Sequence, residues 1–237
     1  FGDASKLVTV AKGDVTDAAS LEPLITEQTG AVIFAASASR QADAKKTSNA
    51  KAVDNIGLVN CAKLCIEKGV PRLVVVSSGG VSKPSSAVYI FLNLAANGIM
   101  DAKIAGEDAV RKLYAAPGLA EKNVGYTVVR PGGLLRDPGL GVSAVELNQG
   151  DTKSGRINRA DVAAICIESL DSKAAFDTTF ECYYADTAKG LDDVMKSNAA
   201  AVGAGVKTTP TETSTGRERR GDTWPELFEG LERDRVA

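Results

Sequence analysis

Apolar residues concentrate in three short, uninterrupted runs, each ending on small or turn-forming residues: Val32-Ile33-Phe34-Ala35-Ala36-Ser37, Leu73-Val74-Val75-Val76-Ser77-Ser78 and Thr127-Val128-Val129-Arg130-Pro131-Gly132-Gly133. Runs of this length, rich in β-branched residues and without polar alternation, suit parallel strands buried on both faces. The segments between them are long enough for crossover helices. The pattern therefore predicts βαβ units in an α/β fold, an open, doubly wound, Rossmann-like parallel sheet. Ligands of such sheets bind beyond the carboxyl ends of the strands, where the small residues fall.

Helical spacing fills the intervals. Val53, Gly57, Cys61 and Leu64 recur at four- and three-residue steps, predicting a helix over 48–68 that Gly69 and Pro71 terminate. Asp17 is placed to cap a helix reaching Gln28, closed by Thr29-Gly30. A strand over 31–36 and a polar loop over 37–47 follow. Further strands are predicted over 72–77, 126–130 and 178–184. A helical region broken near Gly98 follows the loop 79–86 and runs to Ala115. Residues 135–158 read as loop with one short strand, and 159–170 as a helix turning Val162, Ile165, Cys166 and Leu170 inward.

From Asn198 onward the pattern changes. Residues 1–197 read as one dinucleotide-binding domain, and 198–237 as a low-complexity linker and tail in which Thr208–Thr215 has neither helical nor strand periodicity. Trp224, Leu227, Phe228 and Leu231 then form a small amphipathic turn. It is expected to anchor 208–237 on a partner protein, with packing on its own domain as the other reading.

Composition narrows the chemistry. At 237 residues and 44% hydrophobic, the chain can bury a full α/β core. A formal net charge of −2 argues against nucleic-acid binding, and no apolar stretch has the length for direct membrane insertion. The sequence has no histidine, which excludes Ser-His-Asp and Cys-His catalysis within it and removes the commonest metal ligand. Cys61, Cys65, Cys166 and Cys182 make no C-x-x-C pair and read as buried thiols; no metal site is expected.

The chain opens on a predicted strand, Leu7 to Ala11, followed by Gly13-Asp14-Val15-Thr16-Asp17. A dinucleotide-binding sheet normally opens with a strand, a glycine-rich turn and a helix whose N-terminus holds the pyrophosphate. Neither G-x-G-x-x-G nor G-x-x-G-x-x-G occurs here. The expectation is a parent protein with a further N-terminal βα unit, the alternative being divergence with loss of the phosphate site.

Several motifs in order resemble the atypical, NmrA-like short-chain dehydrogenase/reductases of plants, algae and cyanobacteria. They are Gly13-Asp14-Val15-Thr16-Asp17, Ala35-Ala36-Ser37, Val53-Asp54-Asn55-Ile56-Gly57, Val75-Val76-Ser77-Ser78, Lys103 with Gly106-Glu107, Val129-Arg130-Pro131-Gly132-Gly133-Leu134 and Ile157-Asn158-Arg159-Ala160-Asp161-Val162-Ala163. The resemblance spans residues 5–190 and implies NADP or NAD as cofactor, NADP the favoured one. It implies that Asp14 accepts a hydrogen bond from adenine while Val15 packs on the ring; the alternative is that Asp14 caps a turn. Ala35, Ala36 and Ser37 would be small to admit a ribose or pyrophosphate. Pro131, Gly132, Gly133 and Leu134 would lie near the nicotinamide, although a plain turn also selects Pro and Gly.

Catalysis in the superfamily uses Tyr-x-x-x-Lys, in which i and i+4 share a helix face and the lysine lowers the pKa of the phenol. Lys103 matches the lysine, but Ile99 stands at the tyrosine position. Tyr89, fourteen residues upstream, lies far off along an unbroken helix, so the candidates are Lys103 as ribose ligand or acid, with Ser77 or Ser78 orienting a carbonyl. Two function classes follow. One is a weakly catalytic or non-catalytic dinucleotide-binding accessory or assembly protein; the other is a reductase that uses Lys103 in place of tyrosine. The resemblance also implies a plastid location.

Overall fold

The computed structural model describes residues 7–38, 49–191, 193 and 217–235. Much of the expected 37–47 loop and the whole linker 198–216 lie outside the described residues. In chain order the elements are α1 (Ala18–Leu21), β1 (Val32–Phe34), a π-helical turn (Lys51–Gly57) running into α2 (Leu58–Glu67), β2 (Arg72–Val76), α3 (Ala87–Ala95) and α4 (Ile99–Tyr114). There follow β3 (Gly125–Pro131), β4 (Gly133–Leu135), β5 (Val145–Asn148), β6 (Lys153–Ser154), β7 (Arg156–Asn158), α5 (Arg159–Asp171), β8 (Thr178–Tyr184), β9 (Lys189–Gly190) and α6 (Trp224–Phe228).

The main sheet has the order β1-β2-β3-β8-β5. Its first four strands are parallel, while β5 runs antiparallel along β8. Because β2 and β3 are covered on both sides, alternate residues of one run feed two cores. Leu73, Val75, Tyr126 and Val128 meet Leu58, Cys61 and Cys65 of α2 and Val110 of α4 on one face. Val74, Val129, Phe180 and Cys182 meet Val162, Ile165 and Cys166 of α5 on the other. All four thiols are free and buried. Asn97 and Gly98, at φ 49 and 81, break the long helical region into α3 and α4 where the sequence placed the kink.

Three expectations are corrected. Leu7–Ala11 is not a strand: Leu7, Val8 and Val10 are exposed, and β1 pairs only with β2 among the described residues, so no neighbour takes up that backbone. Asp17 does cap a helix by accepting from the Ala19 amide, but α1 stops at Leu21, two residues before Pro23, whose ring nitrogen has no proton to carry the ladder on. The tail anchor packs on its own domain. Leu227 and Phe228 are fully buried, with Phe228 6.0 Å from Phe180 between ring centroids. Thr223 and Glu226 form the capping box that starts α6, and Arg219 exchanges two backbone hydrogen bonds with Leu147 at the β5 edge.

Candidate functional site

The carboxyl ends of β1, β2 and β3 open toward the first turns of α4. Gly106 explains how α4 comes so close: a Cβ there would stand 2.5 Å from the carbonyl oxygen of Asp54. That approach seats Lys103 on the helix carrying Asp54. Lys103 Nζ lies 2.8 Å from Asp54 Oδ1, with both side chains largely removed from water. The same carboxylate accepts from the Ser37 hydroxyl at 2.7 Å and the Ala38 amide at 2.9 Å. Ser37 and Lys103 are thereby joined through a residue to which sequence reasoning had given no role.

One turn along α4, Glu107 is fully buried and takes the Ser77 hydroxyl. It also accepts from Arg130 and Arg111, each at 2.7 Å. Burial alone would raise the Glu107 pKa, but the two guanidiniums and Ser77 hold it below the usual carboxylate value. Arg130 reaches on to Glu181 at 3.3 Å. Glu181 is different: burial and the neighbouring Asp151 push it up to about 8. Asp151 in turn accepts from the Gly80 amide and from the Ser82 amide and hydroxyl, fixing the loop after β2. A slot of about 10 Å³ remains between Phe34, Asp54, Val75, Ser77, Lys103 and Glu107.

The structure brings Ser77 and Lys103 onto that slot, with Ser37 joined to it through Asp54. Ala35 lies exposed and Ala36 half-buried at the end of β1. The Ser78 hydroxyl donates to the Gly79 carbonyl at 3.2 Å. Pro131 is buried beside the β2 end, where the Gly79 amide donates to its carbonyl. Gly132 has a packing reason of its own, since a Cβ there would meet the Gly155 carbonyl oxygen at 2.3 Å. Gly133 and Leu134 are exposed. Val15 rests on Gly57, and Asp14 closes its own turn by accepting from the Thr16 amide and hydroxyl, which lowers its pKa.

The proton donors are otherwise committed. Ile99 is buried. The break at Gly98 folds α3 back so that the Tyr89 hydroxyl donates to Asp101, nowhere near an unbroken helix's spacing from α4. Burial and that carboxylate push the Tyr89 pKa up to about 12. Sequence reasoning also missed Asp161, which accepts from the Leu140 and Gly141 amides and the Tyr184 hydroxyl and so ties down the loop after β4. Its signal was the Asn158-Arg159-Ala160-Asp161 helix start, where a first-turn carboxylate is commonly a cap.

Residues 2–173 match the protein family described as NAD(P)H-binding. This chain belongs to that NAD(P)H-binding family. Among its relatives, an uncharacterised chloroplastic protein of Arabidopsis thaliana is 34% identical over 123 residues, covering 50% of this chain and 40% of the relative. Sanguinarine reductase of Eschscholzia californica is 32% identical over 133 residues, covering 54% and 44%. The chain thus spans less than half the length of either. The oxidoreductase ylbE of Lactococcus lactis aligns over 81% of this chain and 78% of its own at a TM-score of 0.59 and 17% identity. That likeness places this family member in the Rossmann-like α/β fold.

The chemistry of the residues at these strand ends is compatible with the hydroxyls and phosphates of a dinucleotide. The small side chains of Ala35 and Ala36 leave the end of β1 open, and the donor set beside it comprises the Ser37, Ser77 and Ser78 hydroxyls and the Lys103 ammonium. Among the described residues no group of His, Cys, Asp and Glu is placed to hold a metal ion, and no helix is long and apolar enough to cross a membrane.

Proposed function

We propose that this protein binds NADP(H) or NAD(H) across the carboxyl ends of β1, β2 and β3 and does not turn over substrates by the tyrosine mechanism. Ala35, Ala36 and Ser37 would flank the ribose and pyrophosphate, Ser77, Ser78 and Lys103 the nicotinamide ribose, and Pro131 to Leu134 the ring. Asp14 and Val15 would meet the adenine, at the cost of the Asp14 turn. One observation carries the reading: Lys103 is paired with Asp54 while the position four residues before it holds buried Ile99. An alkyl side chain donates no proton, and a lysine held by a buried carboxylate is turned away from a phenol it would otherwise activate.

A bound reduced nicotinamide supplies a hydride, so turnover requires a proton from the protein or from water. Ser77 can orient a carbonyl only by giving up Glu107, whose charge Arg130 and Arg111 would still balance. An accessory or assembly role in a larger complex is the proposed use of binding without turnover. The plastid is the proposed compartment, supported by the chloroplastic relative.

The second reading is a Lys103-dependent reductase of a small carbonyl or activated alkene. It is favoured by Lys103 and Ser77 sharing one slot and by the similarity to a plant reductase. NADPH titration with a carbonyl-reductase assay separates the two. Saturable binding with turnover absent supports the first; wild-type turnover that is lost on Lys103→Ala, with the circular dichroism spectrum retained, establishes the second.

A further inference from the structure

A cleft of about 480 Å³ opens where the C-terminal segment crosses the sheet near the amino end of β8, and Arg111 and Arg130 form its wall toward Glu107. Six arginines line it against two carboxylates, Glu232 and Asp234. Arg111 and Arg130 are engaged by Glu107, and Arg219 donates to the Glu218 and Gly230 carbonyls. Arg233 is exposed, lies over the Phe176 ring at 5.2 Å and faces Asp177, whereas Arg217 and Arg235 are exposed and have no side-chain ion pair within 4 Å among the described residues. Arg217 and Arg235, from opposite ends of the described C-terminal segment, both line the cleft.

One corner already holds an oxyanion. The Asp234 carboxylate accepts from the Thr179 hydroxyl at 2.6 Å, the Tyr126 hydroxyl at 2.8 Å and Arg111 Nε at 3.3 Å. Three convergent donors on one carboxylate oxygen show that this wall is built for negative charge. Gln149 holds the cleft's shape by pairing both ways with the Glu232 backbone, at 2.8 and 2.9 Å. Guanidinium forks match phosphoryl oxygens bidentately, and the volume falls within the ~300–1,000 Å³ of small-molecule sites.

We propose that this cleft is a second anion site, separate from the dinucleotide ledge, that takes a small molecule carrying a diphosphate. A diphosphate carries a phosphoryl group for each of Arg217 and Arg235, the lining guanidiniums without a side-chain partner among the described residues.

The test is calorimetric titration of the full-length protein with inorganic pyrophosphate at constant ionic strength, with and without NADPH. ADP serves as a second arm that tells a nucleoside diphosphate from diphosphate alone. Saturable pyrophosphate binding is expected, unchanged by NADPH. The double variant Arg217→Gln/Arg235→Gln should weaken it by about ten-fold or more, as for loss of a charge-assisted contact. Arg217→Ala/Arg235→Ala should do the same, with circular dichroism unchanged. No saturable heat, competition with NADPH, or wild-type affinity in both double variants would overturn the proposal. If NADPH alone fails to bind, the functional reading falls while the pyrophosphate titration still decides this site.

Discussion

Lys103 Nζ and Asp54 Oδ1 stand 2.8 Å apart, with 13% and 1% of their side chains exposed. A carboxylate so enclosed depends on its cation. Lys103→Met should leave Asp54 charged and uncompensated and destabilise the protein by about 3 kcal/mol. Lys103→Met/Asp54→Leu should recover most of that loss. Urea unfolding midpoints check it; equal midpoints for the single and double variants would show that the pair is not coupled.

Gly106 should be intolerant of any side chain. An added methyl meets a backbone carbonyl at 2.5 Å, which cannot swing aside as a side chain would. Gly106→Ala should cost about 1–3 kcal/mol by overpacking. Because the strain separates α4 from Asp54, dinucleotide affinity should fall in the same variant. Wild-type thermal stability would contradict this packing account.

Much of this arrangement was legible in the sequence, for a physical reason. Strands buried on both faces are largely apolar, so β2 and β3 stood out as runs, and the stripe Val53, Gly57, Cys61 and Leu64 marked the helix against them. β5 hid because half its residues are polar yet buried: Glu146 is held by Lys153 and Arg220, and Asn148 lies beside Glu181. Sequence patterning prices such residues as exposed. The site divided in the same way. Lys103 and Ser77 were found, but their partners Asp54 and Glu107 entered only as motif positions without a role, although Glu107 four residues after Lys103, with glycine between, signalled a face turned inward.

Glu181 gives a pH dependence whose sign is fixed. Burial and Asp151 raise its pKa to about 8 from an ordinary 4.5, so between these values the folded protein holds a proton that the unfolded chain has released. Its contribution to stability is therefore full below the unfolded value and lost as pH rises through about 8. Unfolding free energy should fall from pH 5 to 8, and Glu181→Gln should flatten that fall. An unaltered slope in the variant would assign the titration elsewhere.

The tail should behave as core. Phe228 is 1% exposed against Phe180, so Phe228→Ala should cost about 3–5 kcal/mol and lower the melting temperature markedly. Deletion after Lys207 should lower it at least as far. A melt unchanged by either would return α6 to the role of a docking element.

Fluorescence titration of NADPH with the full-length protein tests the central claim most directly, with NADH run in parallel. The account predicts saturable binding of one dinucleotide per chain, weakened by about ten-fold when Ser77→Ala removes a ribose-facing hydroxyl and Lys103→Ala its neighbouring cation. Absence of saturable binding to either dinucleotide, or affinity untouched in that double variant, would contradict it.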